Sequence, residues 1–242
     1  MPGYPAYAQM LAMLAAVAHR GRLKLIRKPV PELRPGWALI GVRVAGICNT
    51  DIEILRGYHN FQGTLGHEFV GEVVRVASVK DRAWVGRRVV GEINVSCAGL
   101  GLRNPCAYCR RGIPTHCARR RVLGIIGHDG AFAEFLALPV VNLHQVPDNV
   151  PDEAAVFTEP LAAACEILEQ VKVQEHKSAA VIGDGKLAQL IARVLRSAGM
   201  QVTMIGKHAS KLKLANAAGI NTRKSGSPSA NQPNVYTLTV EA

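Results

Sequence analysis

The sequence predicts an α+β chain of two domains, an all-β domain followed by the first part of a parallel, doubly wound α/β domain. Three observations predict it. Residues 13–95 hold short apolar runs broken by Pro and Gly. Four of the six cysteines lie between positions 97 and 117. Near Val150 the pattern turns helical and then reads strand, tight turn, helix, strand. The chain has 242 residues, 48% of them hydrophobic and 19% charged, which is enough to bury a core and excludes general disorder. Aromatics are 5%, so that core is mostly aliphatic. No apolar run reaches the roughly 18 residues a membrane span needs. Lys and Arg number 29 against 18 Asp and Glu, a net +11 that suits an anionic ligand such as a phosphate-bearing cofactor, and equally nucleic acid.

Taken in order, residues 1–12 read as an extension. Met10 to Ala18 is apolar and ends Ala16-Val17-Ala18, like a short signal-peptide core, but no Lys or Arg precedes it and the first is Arg20. A strand over Met13–Ala18 accounts for it instead, and the expected compartment is the cytoplasm. Residues 13–150 form the β domain. Leu39–Val44, Val70–Val76 and Arg87–Val90 read as strands, with Pro29, Pro31, Pro35-Gly36, Gly63, Gly66 and Gly86 as turn formers. Residues 97–121 are a cysteine- and arginine-rich lobe, and Ala131–Ala137 returns to strand.

Residues 151–242 form the second domain. Pro151-Asp152-Glu153 starts a helix, and alanine-rich sequence carries it to about Val171 with a break near Pro160. Ser178–Ile182 is a strand, Gly183-Asp184-Gly185 a turn, and Leu187–Ser197 a helix with Leu187, Leu190, Ile191, Val194 and Leu195 on one face. Gln201–Ile205 is the next strand. A helix over Ser210–Ala218 stops at Gly219, and a weak strand lies near Asn221. Residues 225–234 are a loop, and Val235–Val240 is a last strand.

Three constellations carry chemistry. Cys48, His67 and Glu68 offer a thiolate, an imidazole and a carboxylate, all suited to Zn²⁺, with a fourth position left for water or substrate. Cys106-x2-Cys109-x7-Cys117, preceded by Cys97, has the ligand types of a closed structural zinc site, and metal binding is the better reading than disulfides in a chain this long. Gly183-x-Gly185-x-x-Ala188 stands after a strand and before a helix, as a dinucleotide-binding Rossmann fingerprint should. There Gly183, Gly185, Lys186 and Leu187 would meet the pyrophosphate. At the end of the next strand, Gly206, Lys207 and His208 stand where a carboxylate would bind the ribose of NAD, so NADP(H) is expected over NAD(H).

The segments Gly46-Ile47-Cys48-Asn49-Thr50-Asp51 and Gly66-His67-Glu68-Phe69-Val70-Gly71 resemble two signatures of the zinc-dependent medium-chain dehydrogenases. The likeness runs from about Met13 to Ala242. It implies a GroES-like β domain followed by a partial Rossmann domain, and a catalytic set of Cys48, Thr50, Asp51, His67 and Glu68. Cys48, His67 and Glu68 would hold catalytic zinc, Thr50 would pass the substrate proton, and Asp51 would orient His67. Thr158-Glu159-Pro160-Leu161 resembles the polyol and threonine dehydrogenase branches, which makes Glu159 a zinc ligand or near neighbour. The resemblance also implies a second, structural zinc on Cys97, Cys106, Cys109 and Cys117. Eight residues separate Cys97 from Cys106 here, six more than in the family.

The implied reaction interconverts a small-molecule secondary alcohol and a ketone, with Tyr58, His59 and Phe61 as pocket candidates. Family members are homo-oligomers. Four Rossmann strands are legible where a full sheet has six, so a truncated, poorly active or non-catalytic zinc-binding homologue is the alternative expectation. A zinc ribbon binding nucleic acid through Arg110, Arg111, Arg119, Arg120 and Arg121 is a remote one, because it leaves Cys48, His67, Glu159 and the glycine turn without a role.

Overall fold

A computed structural model describes residues 12–226 and 236–242. The chain forms two compact units that divide between Glu159 and Pro160. The expected extension lies outside the described residues up to Leu11, as do Val235 and residues 227–234 of the expected loop.

The first unit is built from short strands. They are β1 (Ala12–His19), β2 (Arg22–Pro29), β3 (Trp37–Gly46), β4 (Gly63–Thr64), β5 (Glu68–Val76), β6 (Arg88–Gly91), β7 (Asn94–Val95), β8 (Arg121–Leu123), β9 (Gly127–His128), β10 (Phe135–Pro139) and β11 (Leu143–Gln145). The central sheet has the order β10-β3-β5-β6-β11 and is antiparallel throughout, with β3 bulged against β5. It buries Ile40, Phe69, Val73, Val89, Leu136 and Leu138, the aliphatic core the composition calls for. Two smaller sheets run β2-β1-β4 and β7-β8-β9.

Several expectations for this unit change. It is not all-β. Helix α1 (Asn49–Leu55) follows β3, and a second short helix, α2 (Ala107–Arg110), lies in the cysteine lobe. The strand expected from Ala131 begins only at Phe135. Residues 130–132 spend their N–H groups elsewhere: Gly130, Ala131 and Phe132 donate to Thr64, Gly66 and Leu65 at 2.7–2.8 Å. Strand β2 carries no buried face, its Leu23 and Leu25 being 51% and 71% exposed, and it is held by backbone pairing to β1.

The helical stretch after Pro151 splits into α3 (Asp152–Ala155) and α4 (Thr158–Gln170). The break falls at Val156–Phe157, ahead of Pro160. Pro160 sits in the first turn of α4, where its missing N–H costs no hydrogen bond.

The second unit holds β12 (Ser178–Ile182), α5 (Lys186–Ser197), β13 (Gln201–Gly206), α6 (Ala209–Ala217), β14 (Asn221–Lys224) and β15 (Leu238–Glu241). The sheet order is β14-β13-β12-β15 and every pair is parallel, so the fold is the predicted start of a doubly wound sheet. The last strand begins at Leu238, later than expected. The buried face of α5 is Ala188, Ile191, Ala192, Val194 and Leu195, while Leu187 is 40% exposed. Small residues at 188 and 192 let the helix lie close on β12, as the third fingerprint position requires. Among the described residues no helix is long and apolar enough to cross a membrane.

Candidate metal centres and dinucleotide site

Cys48 lies at the end of the loop leaving β3 and is the N-cap residue of α1, and His67 and Glu68 lie at the start of β5. Antiparallel pairing of β3 with β5 puts Gly46 opposite Glu68. The metal-binding atoms of Cys48, His67 and Glu68 all fall within 4.8 Å of one another. The glycine at 46 is needed for this, because a Cβ there would collide with the Glu68 carboxylate. Both His67 and Glu68 are buried.

Asp51 holds the group together. One of its oxygens accepts the Cys48 N–H at 2.9 Å, and the other accepts the Gly66 N–H at 3.2 Å and lies 3.5 Å from His67 Nδ1. With Nδ1 turned toward Asp51, Nε2 is the ring atom left for a metal. Burial pulls His67 down, but hydrogen bonds to Asp51 and Cys48, with the charges of Asp51 and Glu159, raise it to about 10. Cys48 is lowered, chiefly by His67. A thiol whose ionisation is eased, packed against a buried imidazole and a carboxylate, is a donor set suited to a divalent cation, whose binding would release the protons that remain. Thr50 Oγ1 is 3.6 Å from the Cys48 sulfur. Glu159, in the first turn of α4, is not in the tight set but its charge reaches His67.

The second set forms despite the long gap after Cys97. Ala98–Pro105 folds into turns, with Leu100 N–H on Ser96 O and Leu102 N–H on Cys97 O, each at 2.9 Å. This returns the chain to Cys106, whose N–H lies 3.4 Å from Cys97 Sγ. Sulfurs of Cys97 and Cys117 are 3.5 Å apart, those of Cys106 and Cys117 3.8 Å, and all four lie within 4.8 Å. Cys106 is drawn down to about 6, first by the Cys109 backbone. Cys109 is also lowered by the Cys97 backbone, yet burial and its three sulfur neighbours push it up to about 12. Four crowded thiols cannot all ionise without a cation among them, which is the behaviour of a closed metal site. Three of the flanking arginines are tied into the lobe: Arg110 donates to Pro105 O at 2.8 Å, Arg119 to Asn104 O, and Arg120 to Cys117 O at 3.5 Å.

His59 and Phe61 line a cavity of about 520 Å³ with Gln62, Ile125, His128 and Asp129, while Tyr58 is exposed and not part of it.

In the second unit Gly183, Asp184, Gly185, Gly206, Lys207 and Ser225 line a cavity of about 440 Å³ at the carboxyl ends of β12 and β13. This is where a doubly wound sheet binds its ligand. Lys186 and Leu187 open α5, and His208 precedes α6; none of the three is a lining residue.

The space above Gly206 is filled by Asp184. A Cβ there would meet Asp184 at 2.6–2.9 Å. Asp184 is buried, and one of its oxygens accepts the N–H groups of Lys207 and His208, both at 2.7 Å. Its own burial raises Asp184, but the His208 N–H and ring and the Lys207 N–H outweigh that and hold it at about 2. A carboxylate introduced at 206 would have to displace Asp184 before it could face a ribose. Asp184 has a role that the glycine spacing does not report, although an acid between the two fingerprint glycines is its visible signal.

Residues 34–148 match the family described as the alcohol dehydrogenase GroES-like domain. The D-altritol 5-dehydrogenase of Agrobacterium fabrum is 35% identical over 216 residues, 86% of this chain and 62% of that protein. The chain thus spans about six tenths of the length of this curated relative. An alcohol dehydrogenase of Escherichia coli CFT073, solved with NADH, is 27% identical with a TM-score of 0.86, covering 96% of this chain and 70% of that one. A zinc-binding dehydrogenase of Sinorhizobium meliloti 1021, solved with NADP, is 28% identical with a TM-score of 0.82, again covering 96% and 70%.

Proposed function

We propose that the chain is a medium-chain dehydrogenase, a zinc-dependent oxidoreductase that interconverts a secondary alcohol and a ketone with NADP(H). The observation that carries the proposal is the convergence of Cys48, His67 and Glu68 to within 4.8 Å, with Thr50 beside the sulfur. When bound, zinc supplies a Lewis acid and the nicotinamide ring a hydride acceptor. Cys48, His67 and Glu68 hold the metal, and Glu159 adds negative charge near it. Thr50 takes the proton of the substrate hydroxyl. Asp51 fixes the Cys48 backbone and the His67 ring, so the donors need not reorganise as the reaction proceeds. Cys97, Cys106, Cys109 and Cys117 hold a second zinc, which keeps the lobe folded.

A polyol-type alcohol is the substrate class, as for the D-altritol dehydrogenase relative. His59, Gln62 and Asp129 give one cavity polar groups that such a substrate could use. NADP(H) is favoured because Lys207, His208 and Lys211 cluster at the end of β13 with one buried carboxylate among them. We place the protein in the cytoplasm, where thiols stay reduced.

The test is single-turnover. With zinc-loaded protein in excess over NADP⁺, a secondary alcohol should produce the near-ultraviolet absorbance of reduced nicotinamide, and Cys48→Ser should remove it. The loss should exceed the roughly 10–100-fold that an outer partner of a metal ligand costs. No absorbance change with any secondary alcohol, from protein that holds zinc and NADP⁺, would refute the reaction.

A further inference from the structure

We infer that Asp184 sets the cofactor preference of this chain, because it competes with the 2′-phosphate of NADP for His208 and Lys211. The inference rests on the dinucleotide reading of the second unit and names the residue that tunes it.

In the usual arrangement an acid at the end of the second strand meets the ribose hydroxyls, and its absence admits a 2′-phosphate. Here that strand ends in Gly206, and the carboxylate arrives instead from the fingerprint turn. It fills the space a side chain at 206 would occupy. Both of its oxygens already have partners: one accepts the backbone N–H groups of Lys207 and His208, and the other lies 3.0 Å from His208 Nδ1 and forms an ion pair with Lys211 Nζ at 3.7 Å. A carboxylate with both oxygens engaged has little acceptor capacity left for ribose hydroxyls. Asp184 therefore does not act as the missing ribose acid.

Its effect is on His208 and Lys211. The Asp184 side chain is 8% exposed, but those of His208 and Lys211 are 59% and 47% exposed. Both side chains thus stand at the surface with donors that solvent, or a phosphate, can reach. A dianionic phosphate would draw on the same donors through charge-assisted hydrogen bonds. While Asp184 holds them, its negative charge opposes that of an incoming phosphate beside the cavity that Asp184, Gly206 and Lys207 share. The residue is a positioning residue. It fixes the turn after β13 through two backbone N–H groups and reduces the charge that turn offers.

The experiment compares 5′-AMP with 2′,5′-ADP, which differ only in the 2′-phosphate, by calorimetric titration of the parent, Asp184→Asn and His208→Gln. Asparagine keeps an oxygen for the Lys207 and His208 N–H groups and removes the charge. The preference for 2′,5′-ADP over 5′-AMP should rise about tenfold in Asp184→Asn, a modest effect for one charge at a partly solvated site. A merely structural role would weaken both ligands together, and an unchanged or reduced ratio would overturn the inference. If Asp184→Asn does not fold, His208→Gln decides: the ratio should fall by about threefold for a lost charge-assisted donor, and no fall overturns it. A parent that binds neither nucleotide would overturn the dinucleotide reading as well. Binding with a ratio that neither substitution moves would overturn this inference alone.

Discussion

Asp51→Ala should weaken metal binding at the Cys48 set by about 10–100-fold while the cysteine lobe stays loaded. Asp51 is 3% exposed and joins three parts of the site: the Cys48 N–H, the Gly66 N–H and the His67 ring. Alanine leaves two backbone donors without their acceptor, at about 1–3 kcal/mol for each one that stays buried. It also frees the His67 ring to turn, so the protein must order a ligand at the moment of binding. Asp51→Asn should do less harm, since the amide oxygen can still accept one of the N–H groups. Competition with a chromogenic chelator reads the affinity site by site. An Asp51→Ala protein that holds the metal as tightly as the parent would show that the carboxylate has no part in ordering the ligands.

Cys109→Ser should remove a different metal and act on stability. The lobe between Cys97 and Arg121 contains one four-residue helix, a short 3₁₀ turn, and few buried side chains besides Cys97 and Cys117. A loop without a core of its own depends on its cation, and structural zinc carries folding free energy outright. Losing it should open the lobe locally before the central sheet of the first unit unfolds. Arg110, Arg111, Arg119 and Arg120 make the opening easy to detect, because each is a tryptic site. Cleavage there should accelerate at least about tenfold, the result of losing only about 1.4 kcal/mol of local stability. A digestion pattern identical to the parent's would mean that the four sulfurs do not bind a metal.

What could be read from the sequence follows from how each element is stabilised. Strands buried on their inner faces, such as β3, β5, β12 and β13, appear as apolar runs between turn formers. The helix α5 announces itself through the fingerprint before it and Gly199 after it. Strand β2 does not stand out, because Leu23 and Leu25 alternate with Lys24 and Arg22 but bury nothing. Helix α1 was hidden for another reason. It is seven residues long and organised around Asp51, so what fixes it is a side chain shared with a distant glycine. No local periodicity reports that.

The site residues show the same division. Cys48, His67 and Glu68 stand out as candidates through the resemblance of the segments around them to the dehydrogenase signatures, and the four lobe cysteines through their spacing together with that resemblance. Their convergence does not: the pairing of Gly46 with Glu68 sets one group, and the turns of Ala98–Pro105 set the other. The role of Asp184 was illegible because it depends on contacts between residues 23 and 24 apart, made only once β12 and β13 lie side by side.

Zinc per chain, measured by atomic emission on reduced protein, tests the central claim most directly. The two donor sets predict two zinc ions, of which Cys48→Ser loses one and Cys109→Ser the other, so that the double variant holds none. A parent with a single zinc that Cys48→Ser leaves in place would contradict the claim that Cys48, His67 and Glu68 form the catalytic metal centre.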